Sequence, residues 1–285
     1  MKGFLGCLRM DLRRAFLSRS FLISTLGMAA IYFYIVFNEI SHGTSVVSVY
    51  YFNILMKASD FSLLALLICA VPYAASFCED WNNQFIRPSC IRSSADHYCA
   101  SKVLVCALSG GSTVVLVHII ASILCIVSNL TFSLGWGKII GTLAQTGAGD
   151  QFGFKMIFYQ IFMSYDPLQA TLFSFFMSWM CGVFLGLVIF TFDMYFKRAV
   201  GAIAATVFLL LDLFVNNATS GPFISGGLFF SPVSWSNIIS LDTTGTSTDP
   251  TMQYAVIVLV VIIVVLSTIS IRAIKKKNID VLPPV

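Results

Sequence analysis

The chain has 285 residues, of which 58% are hydrophobic and only 11% are charged, and its net charge is +4. A soluble domain of this composition would expose large apolar patches, so the composition excludes a soluble protein and predicts one that lies in a lipid bilayer. The small positive charge suits contact with anionic lipid headgroups, and it gives no reason to expect a nucleic-acid partner.

Residues 1–20 do not form a cleavable signal, because their apolar run is too long and their charged lead is too extended. At helical spacing, Lys2, Arg9 and Arg13 lie opposite the apolar residues Phe4, Leu5, Leu8, Leu12, Ala15 and Phe16. This pattern predicts an amphipathic elbow helix in the membrane interface, with Arg9, Arg13 and Arg14 as its basic residues. The alternative is a basic flank that only sets the orientation of the chain.

Six apolar runs follow, each long enough to cross a hydrocarbon core of about 30 Å, which takes about 20 helical residues. The runs are continuous rather than alternating, and this favours helices over barrel strands. The predicted spans are 21–38, 60–78, 103–127, 168–192, 199–216 and 253–271. The predicted fold class is therefore an all-α integral membrane protein, with six transmembrane helices in residues 21–285 and an N-terminal amphipathic interfacial helix.

The basic residues indicate the orientation of these spans. Six spans place both termini and the loops after the second and fourth spans on one side, and that side holds all of the 17 Lys and Arg residues except Lys57, Lys138 and Lys155. The positive-inside rule therefore predicts a multi-pass protein of the cell membrane with both termini in the cytoplasm.

The cytoplasmic loop 79–102 concentrates charge between two spans and is predicted to dock a soluble partner. Its aromatic and aliphatic residues can form a small apolar anchor, while its charged residues set orientation and partner choice. The residues predicted to act in docking are Glu79, Asp80, Trp81, Phe85, Ile86, Arg87, Arg92, Tyr98 and Lys102. The alternative is a solvated loop whose charges serve only the topology.

The basic amino-terminal helix, the six spans and the acidic end of the second span, followed by a short helix and a closing lysine, resemble the ABC-2 type permeases, the membrane subunits of ATP-driven exporters. Glu79-Asp80, Phe85-Ile86-Arg87, Arg92, Tyr98 and Ser101-Lys102 are similar to small permeases of Gram-positive bacteria, although Asn82-Asn83 stands where many relatives have a glycine. The resemblance implies that loop 79–102 contains a coupling helix seated in a separate ABC ATPase subunit. It also implies a second permease chain, identical or related, and ATP and Mg²⁺ bound by the ATPase rather than by this chain.

The chain itself carries no phosphate-binding loop of the form G-x-x-x-x-G-K-[ST] and no other enzyme motif, so we expect no enzymatic activity of its own. Leu108-Ser109-Gly110-Gly111 resembles the signature of ABC ATPases but lies in an apolar run, where small residues predict close helix packing. The eight cysteines include no C-x-x-C pair, and we expect neither a disulfide framework nor a metal site.

Two segments are predicted on the outer side: loop 128–167, which is either a lid or a passive connection, and a broken apolar stretch, 217–252, which resembles a re-entrant segment. Asp212 lies within the fifth span. A carboxylate at membrane depth is costly, so Asp212 is either an ionisable proton or substrate site on a translocation path or a hydrogen-bonded structural residue.

The predicted function is the permease subunit of an ABC exporter for a peptide, a lipid-like compound or a drug, in contact with membrane lipid. The alternative is an ATP-independent secondary transporter or channel with Asp212 as its ionisable centre, although the sequence shows no internal repeat.

Overall fold

The structure is a computed structural model that describes residues 2–41, 60–74, 94–127, 164–196, 200–219, 227–243 and 249–279, with the single positions 76, 79, 80, 83, 85, 135, 136, 161 and 245. Within these ranges the chain is helical, and the one pairing of extended backbone joins Asp242 and Thr251. The α-helices are α1 (Lys2–Phe16), α2 (Arg19–Ser41), α3 (Asp60–Ala74), α4 (Ala95–Val127), α5 (Pro167–Phe196), α6 (Val200–Thr219) and α7 (Met252–Ile279). The predicted all-helical class is confirmed.

The six predicted spans each overlap one of the helices α2 to α7. By length and composition, three stretches can cross a membrane: Asp96–Leu124 in α4, Pro167–Phe196 in α5 and Met252–Ala273 in α7. A fourth span results if α1 and α2 are counted as one bent pair. These helices are those of a membrane protein, and the arrangement in six spans stays a prediction.

Local capping residues fix where two of the helices begin. Ser18 separates α1 from α2, which are bent by 46°, and its hydroxyl accepts a hydrogen bond from the Phe21 N–H at 3.1 Å. Ser94 does the same for α4, accepting from the His97 N–H at 3.4 Å, and Asp96 in the first turn suits the positive end of the helix dipole. Helix α4 therefore begins at Ala95, inside the stretch 79–102 that was predicted as a loop.

The helices α4 and α5 cross at small residues, so their backbones meet directly. A Cβ atom on Gly110 would lie 2.7 Å from the carbonyl oxygen of Gly182, and one on Gly186 would lie 3.4 Å from that of Cys106. The Cys106 S–H donates to the Gly186 carbonyl at 3.3 Å. The close packing predicted for the Leu108–Gly111 stretch is confirmed, and α4 also contacts α1, α2, α3 and α7.

On the side of the crossing away from Lys102, α5 contacts the 3-10 segment, which we define as residues 227–240 with turns at Gly227–Phe230, Ser234–Ser236 and Ile238–Ser240. The Ser178 hydroxyl on α5 donates to the Ser236 carbonyl, and the Cys181 S–H donates to the Pro232 carbonyl, both at 3.3 Å. We call the part of the bundle around Lys102 the Lys102 end and the part that contacts the 3-10 segment the Ser234 end.

In its described part, the predicted re-entrant stretch 217–252 consists of the end of α6, the 3-10 segment, the pairing of Asp242 with Thr251 and the first residue of α7. Trp235 within it is buried. Irregular backbone inside a membrane occurs only where it is buried in protein or lines water. The predicted outer loop 128–167 lies outside the described residues except at 135, 136, 161 and 164–167.

Candidate functional site

The strongest concentration of buried charge lies at the Lys102 end. The Lys102 ammonium is fully buried, and its Nζ atom lies 2.7 Å from Oδ2 of Asp80 and 3.3 Å from Oδ1 of Asp11. It also donates to the Tyr73 hydroxyl at 3.1 Å. A lysine at the start of an apolar helix is thus satisfied by groups from α1, α3 and the residues that follow α3.

Both carboxylates around Lys102 have further donors. Asp80 accepts from Arg14 at 2.8 Å and from the Tyr98 hydroxyl at 2.8 Å. Asp11 accepts from the Tyr73 hydroxyl at 2.9 Å and from the Ser101 hydroxyl at 2.7 Å. We call this set the Lys102 cluster, and its members are Asp11, Arg14, Tyr73, Asp80, Tyr98, Ser101 and Lys102.

The formal charges within the Lys102 cluster cancel, since two carboxylates face one ammonium and one guanidinium. Burial alone would raise the pKa of Asp80, but the charge of Lys102 and the hydrogen bonds from Lys102, Arg14 and Tyr98 lower the pKa of that carboxyl below its ordinary value. Asp80 is therefore ionised at neutral pH.

The Lys102 cluster holds α1, α3 and α4 together, and we call it a clamp in this sense. Its charges are paired and its hydroxyls are engaged, so no group is poised as a nucleophile or base. Among the described residues no group of three or more His, Cys, Asp or Glu could hold a metal ion. Removing one partner of such a buried pair leaves an uncompensated charge, which is why the cluster fixes α1, α3 and α4 relative to one another.

An exposed helical turn lies directly beside this clamp. The Asn83 and Phe85 N–H groups donate to the carbonyls of Glu79 and Asp80, both at 2.9 Å. Glu79 is exposed, and Phe85 is 39% exposed. The Arg14 guanidinium lies 5.5 Å from the centre of the Phe85 ring, an arrangement that attracts a cation to an aromatic face. The clamp therefore orients an apolar and an acidic side chain at the surface.

The structure separates the predicted docking residues into three groups. Asp80, Tyr98 and Lys102 are buried and contact one another, whereas Glu79 and Phe85 are at the surface. The remaining members lie outside the described residues: Trp81, Ile86, Arg87 and Arg92. Buried side chains cannot touch a docked protein directly, so in this chain Asp80, Tyr98 and Lys102 position the surface turn.

The three arginines predicted for the elbow helix also differ in their surroundings. Arg9 and Arg13 are exposed, while Arg14 belongs to the Lys102 cluster through its 2.8 Å ion pair with Asp80. The face of α1 that is buried carries Cys7, Asp11 and Ala15. Helix α1 packs against α4, and its placement in a membrane interface stays a prediction.

Asp212 occupies a second buried position, near the Ser234 end. It lies on α6 roughly 18 Å from the start of that helix at about 1.5 Å per residue. Its Oδ2 accepts hydrogen bonds from the Ser234 N–H at 2.5 Å and from the Ser234 hydroxyl at 3.2 Å. These bonds hold the 3-10 segment against α6, and Asp212 also lines a cavity between α5, α6 and α7.

Sequence reasoning did not identify Asp11 or Tyr73, and it quoted Ser101 only as part of a resemblance. One signal for Asp11 was available: it is the one acidic residue of α1 and shares a helical face with Cys7 and Ala15, at spacings of four residues. No comparable signal marks Tyr73, since an aromatic residue near the end of a predicted span is ordinary in membrane proteins.

Comparison with models of protein families, with curated proteins and with solved structures found no match to this chain. We therefore infer the function from the contacts described above and from the sequence patterns.

Proposed function

We propose that this chain is the permease subunit of an ATP-driven ABC exporter and that its surface turn, described at residues 79, 80, 83 and 85, docks a separate ATPase subunit. The observation that carries the proposal is the Lys102 cluster, because it fixes that turn directly to α1 and α4 and, through the bond between Lys102 and Tyr73, indirectly to α3. Asp80 is the central residue, since it belongs to the turn and contacts α1 through Arg14 and α4 through Lys102 and Tyr98.

A docking turn transmits force only if it is attached firmly to the helices that must move. A displacement of the turn would otherwise be absorbed by the loop. Here the turn is held by charged hydrogen bonds of 2.7 to 2.8 Å in a buried site, and these are stronger than bonds between neutral groups. ATP binding by the partner would then shift the equilibrium between two arrangements of the helices.

The surface of the turn has the composition of a small protein contact. Phe85 supplies an apolar anchor, and exposed Glu79 supplies a charge beside it. Aromatic anchors typically carry most of the binding energy, while charges at the rim set the partner and the orientation. In this proposal the direct contacts are made by Glu79 and Phe85, with Trp81, Ile86, Arg87 and Arg92 as further candidates.

The same proposal includes six spans, both termini in the cytoplasm of a bacterial cell, and pairing of two permease chains in the cell membrane. The overlap of α2 to α7 with the six apolar runs supports it, as does the distribution of Lys and Arg. The proposed cargo is a peptide, a lipid-like compound or a drug.

Co-purification tests the docking. The tagged chain is co-expressed with its neighbouring genes, and the amount of any ABC ATPase that co-elutes is compared between wild type and the double variant Glu79→Lys, Phe85→Ala. We expect at least a tenfold loss of ATPase from the variant, since loss of a hot-spot anchor of about 2 kcal/mol exceeds a factor of ten. Phe85→Ala removes the contact between the Phe85 ring and Arg14, but both substitutions keep every ion pair of the Lys102 cluster.

The matched control is Asp166→Lys, Phe176→Ala, which makes the same change of charge and the same aromatic truncation at exposed positions near the start of α5. This control should keep the ATPase. Absence of any ATPase from the wild-type eluate, or equal amounts in wild type and the Glu79, Phe85 variant, would overturn the proposal.

One observation favours the ATP-independent alternative: Asp212 borders a cavity. If Asp212 is the ionisable centre of a secondary transporter, transport persists in vesicles without any ATPase and is abolished by Asp212→Asn. If the chain is an ABC permease, transport in the same vesicles requires both the ATPase and ATP.

A further inference from the structure

A cavity of about 540 Å³ lies between α5, α6, α7 and the 3-10 segment. Its walls are strongly aromatic, with Phe184, Phe208, Phe229, Trp235 and Tyr254 among the residues that line it. At its edge Leu211 and Phe230 are 56% and 83% exposed, so the cavity opens sideways, between apolar surfaces of the kind that face lipid. Its volume lies within the range of about 300 to 1,000 Å³ typical of small-molecule sites.

Asp212 is the one charged side chain among the described residues that line this cavity, and it is 4% exposed. Its hydrogen bonds come from neutral donors, the backbone N–H and the hydroxyl of Ser234 among them. Within the described part of the chain, no Lys or Arg forms an ion pair with it, in contrast to Asp11 and Asp80. Neutral donors hold a carboxylate in place without cancelling its charge.

We propose that this cavity binds an organic cation with an aromatic or branched apolar body. A carboxylate in apolar surroundings gains most from a ligand that brings the missing positive charge. The faces of the surrounding rings attract the same kind of ligand, because a cation over an aromatic face is favoured electrostatically. An anion of equal size is repelled by Asp212, and a neutral molecule gains only from apolar contact.

Binding at this cavity requires no ATPase, so it is independent of the docking proposed above. Failure of one proposal leaves the other standing.

The test uses the purified full-length chain in nanodiscs of phosphatidylcholine, with radiolabelled tetraphenylphosphonium as the probe. Empty nanodiscs measure the partition of the probe into lipid. We expect saturable binding above that background and competition by unlabelled tetraphenylphosphonium. Tetraphenylborate, which has nearly the same shape and the opposite charge, should not compete.

Two variants locate the binding in the cavity. Asp212→Asn keeps the shape of the side chain and an acceptor for Ser234 but removes the charge, and it should weaken binding at least tenfold. Val258→Trp fills the cavity from α7 without altering the contact between Asp212 and Ser234, and it should abolish saturable binding. The second variant keeps the test decisive if the first does not fold.

Asp242→Asn is the matched control, since Asp242 is another buried carboxylate near the Ser234 end that is not among the cavity-lining residues. Its binding curve should superimpose on that of the wild type. Equal competition by tetraphenylborate, unchanged binding by the Asp212→Asn variant, or no binding above empty nanodiscs would each refute the proposal. The first two outcomes would assign the cavity to an uncharged apolar occupant such as a lipid acyl chain.

Discussion

Buried carboxylates occur in two parts of the bundle, at the Lys102 end and at the Ser234 end, and their partners differ. At the Lys102 end, Asp11 and Asp80 face a lysine and an arginine in an arrangement without net charge. At the Ser234 end, Asp212 is held by a backbone N–H and a hydroxyl. The burial of a carboxylate therefore does not define its role. Ion pairs neutralise Asp11 and Asp80, so the first site holds the helices together. Neutral donors do not cancel the charge of Asp212, so the second site can attract a cation.

The largest effect should follow from opening the clamp. Lys102→Met leaves Asp11 and Asp80 without their shared cation, and we expect it to lower the free energy of unfolding by about 3 to 5 kcal/mol, the cost of breaking a buried ion pair. Unfolding in mixed micelles, titrated with sodium dodecyl sulfate, measures the change. Arg13→Met on the exposed side of α1 is the control and should stay within about 0.5 kcal/mol of the wild type. If the free energy of unfolding falls no further for Lys102→Met than for the control, the ion pairs do not fix the helices.

The next effect concerns the α4–α5 crossing that joins the two ends. Gly110→Ala places a Cβ atom 2.7 Å from the Gly182 carbonyl oxygen, and a backbone atom in a packed helix cannot move aside easily. We expect a loss of about 1 to 3 kcal/mol from overpacking in the same titration. Gly27→Ala in α2 is the matched control, because nothing lies within 4 Å of its new Cβ atom, and it should be neutral or stabilising. Equal effects at both glycines would contradict the close crossing.

The third test compares the two kinds of carboxylate, and Asp212 should show the smaller effect. Asp212→Asn keeps a neutral acceptor for Ser234, so we expect a loss of only about 1 kcal/mol, the difference between a charged and a neutral hydrogen bond. Asp80→Asn leaves Lys102 and Arg14 short of one negative charge and should cost about 3 kcal/mol. If the two variants are equally destabilised, the contrast between the ends does not hold.

The smallest effect is a dependence on pH. Because the folded pKa of Asp80 is lowered, its ionised form contributes stability that is fully present above the ordinary carboxylate pKa of about 3.9 and is lost as the pH falls through the folded pKa. Unfolding titrations between about pH 5 and pH 2 should show this loss in the wild type. The Asp80→Asn variant lacks the titrating group, so its decline over this window should be shallower. If the stability of both proteins falls in parallel as the pH is lowered, Asp80 is not the source of the loss.

The positions of the helices could be predicted from the sequence because long apolar runs determine them locally. The helices α5 and α7 begin within one residue of the predicted spans 168–192 and 253–271. The early start of α4 was not predicted, because the polar residues Ser94 and Asp96 are typical of a loop. In the structure Ser94 caps the helix, and Asp96 places a favourable negative charge in its first turn.

The partners of the charged residues could not be predicted in the same way. Lys102 pairs with Asp11, which lies 91 positions earlier, and no spacing rule connects residues that meet only after the helices pack. A lysine at the end of a span is equally suited to lipid phosphate, to a docked protein or to a buried acid. The contact between Asp212 and Ser234 likewise depends on how the 3-10 segment folds back over α6.

The backbone contact at Gly110 and Gly182 has a mechanical consequence. Helices that meet without intervening side chains have little freedom to slide, so α4 and α5 would tilt as a single lever. On α4, Lys102 and Tyr98 contact Asp80 of the surface turn. On α5, Ser178 and Cys181 lie within one turn of Gly182 and bond to the 3-10 segment. A displacement of the turn would therefore pass through the crossing to the segment that walls the cavity.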